Sequence, residues 1–524
     1  MFARGTRNGI LTIMETEIWG ASPHSARFGL PLVCALFVAL LVFLFHAPYS
    51  QSNFLLSDSA DYLRAAQAPF LGTYLDTNSA TPVHLLSLRN DPEFRAHPWD
   101  YLYFHGDNAA IRHFHAPFSF YAMHVVSRVS SVDRNQRVLS SLVTAATSGV
   151  IVLGLFWFSV PLPVAGLLAL VAGIQSRYTE VSADPSPHGW YMLFAVLFLF
   201  TFAEYVRSRR MPTLMVSVVI LAFAFATLEF SLELIASIPV ALVVLWLEDR
   251  SRLQDPKDLL ISILKAVPVF LLATFILWPG GWLRGGYLES YGVTGATVLL
   301  HNKAAFGERL TVSDLYTKFF AGHEALLLLF AFFLVTAVVL LFRRKLSIVT
   351  VVFTSYTVVA LGLGIADHFR LDTYLSEALL FLLMTVALLF KDVLMESAAS
   401  KRKYLIAAAV LVLLVVATQE WFRRPSIVMY RPWLGPILKG VAGKVPSGAT
   451  ILVNDNWEAY YEYLPNYDYE PTLSTTDMTP RIPTRAKNIQ YFLLSGNMPG
   501  IPDTELLESF PTNVPGRRVN LYGK

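Results

Sequence analysis

Asp58 and Asp61 are the residues in this chain whose spacing most directly suggests chemistry. In Leu56-Ser57-Asp58-Ser59-Ala60-Asp61-Tyr62-Leu63, a helix starting on Ser57 or Asp58 as N-cap puts Asp58, Asp61 and Tyr62 on one face. Paired carboxylates held this way can bind a divalent cation or take a proton from an acceptor hydroxyl. The plainer reading, in which Asp58 caps the helix and Asp61 is solvated, fits the spacing equally well.

Three further sets of polar residues carry possible chemistry. His105-Gly106-Asp107 precedes His113-Phe114-His115-Ala116-Pro117, where Asp107, His113 and His115 could face one cavity as part of a metal site or remain ordinary loop residues. Between two apolar runs, 176–185 offers Glu180 and Asp184, which suit either a water-filled vestibule or a hydrated turn. Farther on, Asp367-His368-Phe369-Arg370 is followed by Tyr374. There Arg370 can clamp a phosphate with two parallel donors, or pair with a lipid headgroup or with Asp367. His301, Lys303 and Arg309 add potential phosphate contacts, while Asp455 and Glu458 read as solvated carboxylates at a strand end.

The elements that position these residues follow from composition. Of 524 residues, 54% are hydrophobic and 15% charged, with mean hydropathy +0.49, so a bilayer is the solvent. Apolar runs long enough to span it fall near 29–46, 138–158, 162–176, 188–206, 213–229, 232–248, 259–278, 324–342, 347–365, 372–390 and 404–421. Basic clusters at Arg207/Arg209/Arg210, Arg250/Arg252/Lys257, Arg343/Arg344/Lys345 and Lys401/Arg402/Lys403 all fall on one side, which predicts a cytoplasmic N-terminus and a periplasmic C-terminus. Trp157, Trp190, Trp246, Trp278 and Trp421 sit near span ends, where indole rings prefer the headgroup boundary. Of the twelve histidines, only His24 falls on the cytoplasmic side, so function is expected outside.

The expected fold is an all-α polytopic membrane protein of about eleven transmembrane helices with a small C-terminal α/β domain. Its parts are a cytoplasmic segment 1–28, a membrane domain 29–421 with outer loops 47–137 and 279–323, and a periplasmic domain 422–524. The last is expected to contain a helix at 431–443, a strand at 449–453, a helix at 457–464 and a strand at 489–495. Cys34 is the single cysteine, which excludes an intramolecular disulfide and a cysteine metal cluster. A net charge of +3 without a basic stripe argues against a nucleic-acid partner.

An acidic motif just after the first span, a loop with interfacial helices, and an x-Pro step before an aromatic helix together resemble the GT-C superfamily. The nearest type is that of the protein O-mannosyltransferases and aminoarabinose transferases, and the likeness covers roughly 29–400. The resemblance implies that Asp58 stands at the family's catalytic aspartate, as general base or as the carboxylate that positions a metal. Ser59 stands where many relatives have glutamate, so the strict Asp-Glu pair is absent and Asp61 is the candidate substitute. It further implies that Glu180 and Asp184 return acidic groups to the site and that Arg370 lies near a polyprenyl phosphate, with His368, His301 and Tyr374 beside it.

The expectation is therefore an inverting glycosyltransferase in the inner membrane. Its donor would be a polyprenyl-phosphate sugar, its acceptor a lipid, glycan or protein, and its one candidate cofactor a divalent cation. The rival reading is a transporter or flippase of a lipid-linked cell-envelope precursor, and it is weakened by the lack of repeated halves.

Overall fold

In the structure, a computed structural model, the described residues are 29–51, 58–75, 116–129, 133–175, 178–179, 182, 185–228, 230–248, 256–283, 324–367, 372–424, 433–454, 457–471, 489–495, 503–512, 516 and 518–524. Helix α1 is Gly29–His46, followed by short helices α2 (Asp58–Gln67) and α3 (Phe70–Tyr74) and then by α4 (Phe118–Val129). Helices α5 (Asp133–Trp157), α6 (Leu162–Ile174), α7 (Pro187–Ser208), α8 (Met211–Phe225), α9 (Ser231–Glu248) and α10 (Pro256–Leu277) come next, with a single turn α11 (Pro279–Leu283). The bundle is completed by α12 (Glu324–Phe342), α13 (Ile348–Asp367), α14 (Asp372–Glu396) and α15 (Ala399–Phe422).

Among the described residues, six helices are long and apolar enough to cross a bilayer, and five shorter apolar helices accompany them, so the protein is a multi-pass membrane protein. Each matches an expected span. The differences are at the ends, where α5 begins at Asp133 rather than 138, α14 continues to Glu396 rather than 390, and α15 begins at Ala399 rather than 404. Polar and charged residues there extend the helix past the apolar stretch, which hydropathy alone does not register.

Helix starts follow local chemistry. The Ser186 hydroxyl accepts from the His188 N–H at 3.2 Å and caps α7, whose first residue is Pro187. Helix α1 packs along α5 and α6, α7 along α8 and α13, α9 along α13, and α14 along α13 and α12. Small residues permit close approach: a Cβ at Gly173 of α6 would press on Val42 of α1 and Ser148 of α5. Leu36 and Phe37 of α1 and Leu272 and Ile276 of α10 face outward, as lipid-facing positions do.

The C-terminal region holds α16 (Leu434–Lys444), β1 (Thr450–Val453), α17 (Trp457–Tyr463), β2 (Asp468–Pro471), β3 (Tyr491–Ser495), β4 (Glu505–Pro511) and β5 (Arg518–Gly523). The sheet order is β2-β1-β3-β5-β4, with β1 parallel to β2 and β3, and β5 antiparallel to β3 and β4. The two helices and two strands expected from the sequence are present, together with three strands it did not reveal. Of these, β2 is four residues long and ends on Pro471, and β4 buries only one of its seven residues, so neither carries an alternating pattern.

This domain does not stand apart from the bundle. Leu434, Ile437 and Val441 of α16, Ile451 and Val453 of β1 and Tyr460 of α17 share one apolar core with Ala60, Leu63 and Ala66 of α2 and Phe120 and Met123 of α4. The Tyr463 hydroxyl donates to the Asp133 carboxylate at the start of α5. The face of the bundle that carries α2, α4 and this domain is called the cap face below.

Candidate functional site at the cap face

Helix α2 begins at Asp58, as its capping chemistry predicts. The next residue fixes where it lies. Ser59 is 8% exposed and its hydroxyl donates to the Pro185 carbonyl at 3.1 Å, which ties the start of α2 to Pro185. The far end of α2 is held as well, since His124 Nδ1 of α4 donates to the Ala66 carbonyl at 2.6 Å and satisfies a helix-terminal acceptor. Arg128 Nε donates to His124 Nε2 at 3.3 Å, consistent with the proton on Nδ1.

Ser182 is itself fastened to two spans, α1 and α5. His46, fully buried at the end of α1, donates from Nε2 to the Gly173 carbonyl of α6 at 2.7 Å, leaving Nδ1 3.1 Å from the Ser182 hydroxyl. Ser182 Oγ also lies 2.6 Å from the Tyr178 carbonyl, and Ser141 of α5 donates to the Ser182 carbonyl at 3.1 Å. Burial pushes the Tyr178 hydroxyl well above the usual phenol range, so it stays protonated. Ser182 and Pro185 form an anchored ledge beside α2.

Helices α3 and α4 close the neighbouring edge. Tyr74 donates to the Ile276 carbonyl at 2.8 Å and Tyr121 to the Leu277 carbonyl at 2.9 Å, capping the last turn of α10, while the Phe118 N–H donates to the Ala226 carbonyl at 3.0 Å. Helix α13 ends at Asp367 and α14 starts at Asp372. Helix α13 packs on both α7 and α14.

Two of the solved structures similar to this chain share its overall fold. ArnT from Cupriavidus metallidurans bound to undecaprenyl phosphate matches with TM-score 0.53 and 13% identity, over 95% of this chain and 98% of that one. The apo state of the same protein matches with TM-score 0.56 and 12% identity, over 93% and 97%. This chain has the fold of ArnT. No family model matches the sequence, and no curated protein matches it.

Within this fold, the structure holds the head of α2 to Pro185. Asp58 and Asp61 lie in α2 and Tyr374 lies in α14, each as a placed backbone position. The Tyr62 side chain is 6% exposed and its ring packs on Phe120 at 5.5 Å within the apolar core shared with the C-terminal domain. Asp107, His113, His115, Glu180, Asp184, His301, Lys303, Arg309, His368, Arg370 and Asp455 lie outside the described residues, and the Glu458 side chain does too. Among the described residues no group of three or more His, Cys, Asp or Glu is placed to hold a metal.

Sequence reasoning missed His46, Ser182, Tyr191, Tyr356 and Glu377. His46 was only one of eleven histidines on that side, and nothing in its surroundings marks it as a strut. Glu377 had a visible signal, an acidic residue inside the apolar run 372–390, which is a functional-site hypothesis by default.

Proposed function

We propose that the protein is a glycosyltransferase that moves a sugar from a polyprenyl-phosphate donor to an acceptor at the outer face of the membrane. The observation that supports the reading is the Ser59–Pro185 bond, which fastens the head of α2, where Asp58 stands, to Pro185 in a chain with the ArnT fold. The solved ArnT holds undecaprenyl phosphate, a donor-side product of this class. A prenyl chain never leaves the bilayer, which explains a catalyst built from spans.

In this reading Asp58 accepts the proton of an acceptor hydroxyl as its oxygen attacks the anomeric carbon. The bond from that carbon to the lipid phosphate oxygen breaks, its electron pair stays with the phosphate, and the configuration inverts. Arg370 offsets the charge that grows on the departing phosphate. A divalent cation belongs to the reading as an expectation of the sequence alone, tested by chelation. The cap face is then periplasmic and the N-terminus cytoplasmic.

The test is release of polyprenyl phosphate by purified protein given a panel of polyprenyl-phosphate sugars with candidate lipid, glycan and protein acceptors. Asp58→Asn lowers turnover ~10²–10⁴-fold, the worth of a positioned general base. Unchanged turnover in that variant removes Asp58 from the chemistry, and no release from any donor favours the flippase reading.

A further inference from the structure

On the face opposite the cap face, the turn between α12 and α13 meets the turn between α14 and α15. The Ser347 N–H donates to Asp392 Oδ2 at 2.9 Å, Lys391 Nζ donates to the Ser347 hydroxyl at 2.9 Å, and Lys345 Nζ lies 3.3 Å from Glu396 Oε1. The Arg402 guanidinium closes the second turn, donating to the Ser397 carbonyl at 3.1 Å and to the Met395 carbonyl at 3.2 Å. The stretches 343–348 and 391–404 therefore present their charges as one surface.

That surface is cationic. It holds seven basic residues and two acidic ones, and both acidic groups are occupied: Asp392 is 4% exposed among its donors, and Glu396 faces Lys345. Arg343, Arg344 and Lys401 are exposed, and among the described residues their side chains have no hydrogen-bond or ion-pair partner. Two of these cations stand against local preference. Arg344 has φ 55° at the end of α12, where its N–H donates to the Leu341 carbonyl and that of Lys345 to the Leu340 carbonyl, a left-handed position that suits glycine. Lys401 lies in the first turn of α15, which has no acidic residue and where the helix dipole disfavours positive charge. Next to the cations the spans turn apolar side chains outward: Val335, Val338 and Phe342 on α12, and Tyr404 and Leu411 on α15. Their spacing keeps each set on one side of its helix, so an acyl chain lying along either stripe brings its headgroup to the level of the basic turns.

We propose that this junction is a binding site for an anionic phospholipid, whose headgroup phosphate is held by Arg343, Arg344 and Lys401 while its acyl chains lie on the outward stripes of α12 and α15. Charge complementarity selects the headgroup. A zwitterionic lipid brings its own cation against these three, whereas a lipid of net negative charge brings none. A water-soluble anion gains the same attraction without the apolar stripes, and salt screens it at exposed side chains. The basic turn after α7 is built differently, since Arg207 already pairs with Glu204 at 2.5 Å and lies over the Phe158 ring at 5.3 Å. The inference rests on the spans being in a bilayer and not on the glycosyltransferase reading.

The test titrates the full-length, delipidated protein with phosphatidylglycerol, phosphatidylcholine or inorganic phosphate and reads bound molecules by native mass spectrometry. Phosphatidylglycerol should bind ~10-fold or more tightly than phosphatidylcholine. Arg343→Gln, Arg344→Gln and Lys401→Gln should each weaken phosphatidylglycerol binding ~5-fold, and the triple variant ~10²-fold, the worth of one cation apiece beside an anionic headgroup. The double variant Arg209→Gln/Arg210→Gln, in the turn after α7, should bind like wild type. In phosphatidylcholine vesicles the triple variant should melt no lower than wild type, which separates a lost site from a lost fold. Adding phosphatidylglycerol should raise the wild-type midpoint and leave that of the triple variant in place. The proposal is overturned if the two lipids bind alike, if the triple variant keeps wild-type affinity, if the double variant loses as much as the triple one, or if inorganic phosphate displaces phosphatidylglycerol at equal concentration.

Discussion

The membrane bundle and the cap-face core bury side chains under different forces. In the bundle the surrounding lipid is as apolar as leucine, so Leu271 and Leu272 of α10 stand 44% and 60% exposed without penalty. What fixes one span against another there is close backbone approach and polar contact between helices. Examples are Thr357 to Thr385 at 2.8 Å, Thr350 to Asp392 at 2.6 Å, and the Trp157 indole N–H to Glu204 at 3.1 Å. At the cap face water lies outside, and the hydrophobic effect holds α2 and α4 to the C-terminal domain. Helix α2 thus depends on the domain for its position and on Ser59 for its alignment with the ledge.

The same substitution in the two regions gives the sharpest break between them. Leu63→Ala, at a site 2% exposed on α2, leaves a cavity in the shared core and costs ~2–5 kcal/mol. Leu271→Ala, facing lipid on α10, costs under ~1 kcal/mol, since a leucine gains only a few tenths over neutral residues on transfer into the bilayer. Limited proteolysis of the C-terminal domain reads the first effect, and turnover should fall with it because Asp58 rides on α2. Equal protease resistance in the two variants would mean that the domain and α2 do not share a core.

The two regions also differed in how far the sequence exposed them. The spans were legible because roughly twenty apolar residues, interrupted by basic clusters, are written locally; α12 falls on its expected 324–342. The helix opening at Asp58 was legible for the same reason, through its capping residue. The mutual position of α2 and the ledge was not, because it depends on Ser59 meeting Pro185, two residues far apart in the chain with no pattern linking them. Nor was the docking of the C-terminal domain, whose contribution to α2 comes through Leu434, Ile437 and Tyr460, residues that read equally well as the interior of an independent fold.

A smaller effect tests the alignment of the acidic segments directly. Ser59→Ala removes one hydrogen bond and leaves the buried Pro185 carbonyl without that donor, at ~1–3 kcal/mol. Because Asp58 precedes Ser59, the loss should appear chiefly in turnover, with the core and its protease resistance unchanged. Ser59→Thr, which keeps the hydroxyl, should retain most of the activity. If Ser59→Ala instead loosens the domain while sparing turnover, the bond is only packing support.

The smallest expected effect lies on the opposite face and shows why an ion pair there is not equivalent to a buried polar contact. Lys345 and Glu396 approach to 3.3 Å with side chains 49% and 48% exposed. Asp392, one turn earlier on α14 and 4% exposed, accepts from the Ser347 N–H at 2.9 Å and the Thr350 hydroxyl at 2.6 Å, and lies 2.8 Å from Lys391. The exposed pair exchanges water for a partner at nearly equal free energy and must also order two long side chains, so Glu396→Gln costs no more than ~1 kcal/mol. Asp392→Asn weakens a buried acceptor already committed to several donors, and its thermal midpoint should fall clearly below that of Glu396→Gln. Raising salt should erase what little the exposed pair contributes and leave the Asp392 effect in place. A salt-sensitive Asp392 variant would place that carboxylate in water and remove the polar clamp between α13 and α14.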